Sequence, residues 1–143
     1  MPTLEFFLVC RSITRDLFTD EITLSGVLED VVLEADGTTV LPTAVAVVAW
    51  NVETKEGSED LQAVLRITLP GDSHGKSFPM NLLKGHNRYR AIFAISSIPL
   101  GVTGELLFEV LLNAERCASH RVFVHPHGSP PAPPPFPDET PPA

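Results

Sequence analysis

Three groups of residues have the types and spacing to do chemistry. The first lies in SITRDLFTDEITLSGVLEDV (residues 12 to 31), where Asp16, Asp20, Glu21, Glu29 and Asp30 offer the oxygen ligands that hard cations take. Their spacing argues for a turn instead: Glu29 and Asp30 fall at the far end of the strand that Asp20 and Glu21 begin, roughly 30 Å away at about 3.4 Å per residue. The second is the His-x-His pair His125 and His127, which in a strand would point both rings one way and could begin a transition-metal site. No third ligand is near, His120 has the opposite parity, and Pro126 separates the pair, so exposed histidines are expected and no metal or other cofactor is assigned. The third is LLKGHNRYR, which gathers Lys84, His86, Arg88 and Arg90 around a Gly-Asn turn beside Tyr89. Cationic side chains near a turn can hold a phosphate, a small anionic or sugar ligand, or an acidic partner, so Lys84, His86, Arg88, Tyr89 and Arg90 form the candidate ligand-binding set.

Nucleophilic catalysis has no comparable support. The chain contains no G-x-S-x-G elbow, no phosphate-cradling glycine loop and no H-E-x-x-H, and Ser12, Thr14, Thr23 and Ser25 have no evident positioned base. Cys10 follows an apolar strand and reads as a buried small hydrophobe, not a thiolate. No catalytic residue is assigned, and a non-enzymatic role is expected. The net charge of −8, from 10 Lys and Arg against 18 Asp and Glu, argues against nucleic acid or an anionic membrane as the main partner. The start MPTLEFFLVCRSITRD has neither a basic n-region nor a small-residue cleavage site, and the two cysteines make no disulfide framework. A cytoplasmic protein is the expectation.

The elements that must position these residues are strands. Leu61, Ala63, Leu65, Ile67 and Leu69 alternate with Gln62, Val64, Arg66 and Thr68 before PGD ends the run. Tyr89, Ala91, Phe93 and Ile95 form a second inward set, and Leu106, Phe108, Val110 and Leu112 a third, with Glu105 and Glu109 outward. LEFFLVC, EITLSGVL, PTAVAVVAWNV, a weaker KSFPMNLL and SHRVFV complete the list, NAER having the length of a hairpin turn. Ile22, Leu24, Gly26 and Leu28 share a face, and Gly26 inside a strand marks a bulge or close approach. Seven or eight short strands without an amphipathic helix predict an all-β fold, an antiparallel two-sheet β-sandwich of immunoglobulin-like type over residues 1 to 125. One strand is apolar on both parities, Val45, Val47 and Ala49 on one and Ala46, Val48 and Trp50 on the other, so both faces want cover from a loop or a second molecule. Residues 126 to 143, rich in proline, read as a disordered tail and as a candidate docking peptide for a proline-reading partner.

LEFFLVCRSITRDLFTDEITLSGVLEDV resembles the N-terminal signature of an uncharacterised bacterial family of small single-domain proteins. In that pattern a first apolar strand ends near a Cys, and a polar turn leads into a strand of the type K-L-T-L-I-G-V-F. Cys10, Asp16, Leu24, Gly26 and Val27 occupy the matching places, while Arg11 stands where the pattern often has an acid. The likeness continues through LPTAVAVVAW, NRYRAIFAI and GELLFEVLLNAERCASHRVFV and implies a β-sandwich without implying an activity. The combined expectation is an interaction or accessory protein that uses an apolar sheet face for a protein partner or for self-association. A binding module at the Lys84 to Arg90 turn is the alternative, and a metal enzyme using His125 and His127 comes after it.

Overall fold

The computed structural model describes residues 2–37, 39–52, 61–82 and 88–128. Lys84 and His86, together with residues 53–60 and 129–143, lie outside the described residues. The described residues are all-β, as the alternation predicts. The strands are β1 (Thr3–Arg15), β2 (Ile22–Val27), β3 (Asp30–Val32), β4 (Thr39–Asn51), β5 (Leu61–Thr68), β6 (Lys76–Leu82), β7 (Arg88–Leu100), β8 (Gly104–Leu112) and β9 (Glu115–His125). They form a four-stranded sheet in the order β2-β1-β4-β7 and a five-stranded sheet in the order β3-β9-β8-β5-β6. No helix among the described residues is long and apolar enough to cross a membrane.

Two expectations need correction. The described residues hold nine strands, not seven or eight, and the pairing is not antiparallel throughout, because β3 runs parallel to β9. With only three residues, β3 is too short to show a period. It is recruited by backbone bonds on both flanks, Phe123 N–H to Glu29 C=O (2.8 Å) and Leu33 N–H to His125 C=O (2.9 Å). His125 is engaged there too: its Nε2 lies 2.7 Å from Asp30 Oδ1, while His120 Nε2 meets the Leu28 carbonyl. His127 is exposed beyond the strand end, and no group of three metal-ligating side chains occurs among the described residues.

One apolar core draws on both sheets. Val9, Ala44, Ala46, Val48 and Trp50 come from the first, and Ala63, Leu65, Ile67, Leu106, Phe108, Val110 and Val122 from the second, each set at the two-residue spacing that turns alternate side chains to one face. The alternation reverses once in β7. Phe93 and Ile95 pack against the core from odd positions, Ile98 and Leu100 from even ones, and Ser97 between them has φ 58°. Glu109 has outward parity yet is only 5% exposed. Its Oε1 accepts from Arg66 Nε (3.1 Å) and Nη2 (2.9 Å), and Arg116 approaches Oε2 at 3.5 Å. Paired in this way, both oxygens of the buried carboxylate have a partner.

The β8–β9 connection is a two-residue hairpin in which Asn113 and Ala114 both have positive φ, 51° and 66°. Such turns favour Asn-Gly, because a Cβ in the left-handed region crowds the carbonyl. Ala114→Gly is therefore expected to stabilise the protein by about 1 kcal/mol, measured as a raised urea midpoint with an unchanged slope.

Candidate functional site

The opening acidic stretch builds a hairpin that leaves its sheet. β1 pairs with β4 only as far as Cys10 opposite Val45, and from there to Arg15 it pairs with β2 alone. Val9 belongs to the main core, whereas Cys10 and Ile13, three residues apart, share the opposite face, so the side-chain parity of β1 inverts between them. Gly26 lies across the ribbon at the inversion. Its φ is 71°, and a Cβ there would stand 3.3 Å from Arg11 Cδ. Before this bend Ile22 and Leu24 pack on the outer cluster, and beyond it Leu28 packs in the main core. The sequence places these three on one face; the left-handed glycine divides them.

The bent hairpin covers the outer face of β4. Cys10, Val45 and Val47 are buried there against Ile13, Ile22 and Leu24. The two-faced apolar pattern of β4 is thus met by cover from the same chain, and this part of the sheet is not free for a second molecule. Burial pushes the Cys10 thiol above its ordinary pKa, against smaller lowering contributions from backbone groups of Ser12 and Ser25, which keeps it protonated and unreactive.

The hairpin tip, Asp16 to Glu21, is held by its own backbone. Asp16 Oδ1 accepts from the amides of Phe18 (2.8 Å) and Thr19 (3.1 Å), and Asp16 N–H donates to Glu21 C=O (2.8 Å). Asp20 N–H donates to Asp16 C=O (2.9 Å), and Thr19 Oγ1 accepts from Glu21 N–H (3.3 Å). The Thr19 amide, then the Phe18 amide, draws the Asp16 pKa below the usual carboxylate value. A depressed carboxyl pKa stabilises the turn above the unfolded value, and that contribution is lost as pH falls through the folded one.

From this tip Asp20, itself left-handed at φ 61°, reaches across to β7. Its Oδ2 lies 3.3 Å from Arg90 Nη2, its Oδ1 3.1 Å from Arg15 Nε, and its carbonyl accepts from Arg90 Nη1 at 3.4 Å. Arg88 pairs with Glu5 at 3.2 Å. Together with Tyr89 and Ala49 these residues line a basin of about 550 Å³. The structure thus brings together Arg88, Tyr89 and Arg90 from the sequence-predicted set and adds Glu5, Arg15 and Asp20, which the sequence reading did not join to them. Their adjacency depends on the β1-β4-β7 order and on a hairpin that folds back, neither of which has a local sequence signal. Three guanidinium groups face two carboxylates, so the basin carries one surplus positive charge and most of its donors are engaged within the protein.

Beside the basin stand the most exposed apolar side chains of the described residues. Leu17 is 91% and Phe18 100% exposed at the tip. Phe6, 40% exposed, is in register with Ala49, which is itself paired with Arg90. Phe6 and Arg90 thus flank Ala49 from the two neighbouring strands, with Tyr89 next to Arg90 in β7. Neither a family model nor a curated protein matches the chain, so the chemistry of this corner is read from its own side chains.

Proposed function

We propose that the protein is a non-catalytic interaction module, an accessory or adaptor β-sandwich of immunoglobulin-like type, which grips a protein partner with the tip of its β1–β2 hairpin. The sandwich reading is supported by a core shared between two sheets and by a chain that crosses repeatedly from one to the other. The observation that carries the functional reading is Phe18, wholly exposed next to Leu17 on a turn whose shape is already set by hydrogen bonds. A rigid turn presents these side chains without the ordering cost that a mobile loop would incur on binding. Asp16, Asp20 and Glu21 surround them, so the fitting partner offers an apolar pocket with a basic rim. Cys10 and Cys117, both unpaired, fit a reducing compartment and the expected cytoplasmic location.

The test is the double variant Leu17→Ser/Phe18→Ser. Because neither side chain is packed, its unfolding free energy should stay within about 0.5 kcal/mol of the wild type. Partners captured from native lysate by the wild-type chain and identified by mass spectrometry should be lost, with affinity reduced about 30-fold or more. Equal capture of the same partners by both proteins would refute the reading.

A further inference from the structure

Among the described residues, the four sheet edges are unequal. In the five-stranded sheet, β3 has three residues and β6 carries Lys76 and a central Pro79, both common guards against strand addition. In the four-stranded sheet, β2 has six residues and is interrupted by the left-handed Gly26. β7 is different: it is a 13-residue edge strand whose stretch Arg88 to Ser96 contains no proline, glycine or positive φ, with irregularity beginning only at Ser97. Such an edge presents a row of backbone donors and acceptors to a further strand.

We infer that a second copy of this chain docks on β7 by antiparallel β7–β7 pairing about a two-fold axis at Ile92, joining two four-stranded sheets into one of eight strands. Same-face pairing fixes which residues meet. With Ile92 opposite its own copy, Tyr89 faces Ile95 and Ala91 faces Phe93 on the core side, all four being half-buried against the core of their own protomer. On the outer side Arg90 faces the exposed Ala94 and Arg88 faces Ser96, so neither arginine meets a like charge, and each is already paired with Asp20 or Glu5. Sliding the axis to Arg90 would set two arginines directly opposite, which is destabilising. The chain's own segment 129–143 is no substitute, because eight of its residues are prolines and supply no amide donor. This interface shares Arg88, Tyr89 and Arg90 with the basin but not Leu17 or Phe18 of the hairpin tip, so either reading can fail without the other.

Sedimentation velocity and light scattering on the full chain over a concentration series are expected to show a reversible dimer. Ala94→Lys places a cation opposite the partner's arginine twice and should weaken dimerisation about 10-fold, whereas Ala94→Glu should tighten it several-fold. Ile92→Cys in a Cys117→Ser background should oxidise to a covalent dimer. A wild-type monomer at every concentration overturns the inference. So does a dimer indifferent to both Ala94 variants, one that Ile92→Cys fails to cross-link, or one abolished by Leu17→Ser/Phe18→Ser, which would move the self-contact to the tip.

Discussion

Phe108→Ala is expected to lower the unfolding free energy by about 3–5 kcal/mol, measured by urea unfolding at neutral pH. Phe108 is fully buried on β8, between Ile67 of β5 and His120 of β9 in the register of the five-stranded sheet, with the His120 ring edge-on at 6.5 Å between centroids. Truncation removes the apolar transfer term and leaves a cavity that its strand neighbours can close only by shifting backbone in two ladders. A loss of this size is about a fifth or more of the roughly 5–15 kcal/mol that holds a typical domain together. Phe18→Ala removes the same atoms from a side chain that is wholly exposed, and stability should be unchanged while partner affinity falls. A Phe108→Ala loss below about 1.5 kcal/mol would mean that the core is looser than its packing shows.

The contrast between these two phenylalanines marks what the sequence discloses. Period-two alternation identifies Phe108 as core, because Leu106, Phe108, Val110 and Leu112 share its parity and all are buried. The same rule is silent about Phe18, which lies in a turn without periodicity. It fails at Leu28 and at Ile98, where left-handed residues reverse the faces: Gly26 leaves a trace as a glycine within a strand, while Ser97 leaves none. The basin shows the same division. Arg88, Tyr89 and Arg90 are adjacent in sequence and legible as a cluster, but Asp20 is 70 residues from Arg90 and meets it only after the hairpin turns over. Ion pairs across that distance depend on sheet order, which chain patterning does not encode locally. The doubly apolar β4 is legible as a face in need of cover. That the cover is the chain's own hairpin depends on the bend at Gly26.

Gly26→Val should release that cover. At φ 71° a side chain costs roughly 1–2 kcal/mol, more when β-branched. The added methyl groups would also press on Arg11, whose Cβ, Cγ and Cδ lie 3.3–3.4 Å from where a Cβ on residue 26 would stand. The strain is borne by the bend, because β1 pairs with β4 ahead of it and the tip is anchored by ion pairs largely open to solvent, which hold weakly. Lowering the free energy of hairpin opening by about 2 kcal/mol raises the open population about thirtyfold. Cys10 reports on it: fully buried under Ile13, Ile22 and Leu24, it should resist thiol reagents in a Cys117→Ser chain and react about thirtyfold faster once Gly26 is replaced. Heat and urea midpoints should fall less than for Phe108→Ala, since the main core is untouched. If Cys10 stays as protected in Gly26→Val as in the parent, the bend does not depend on glycine, and the hairpin is held down by the Ile13, Ile22 and Leu24 contacts alone.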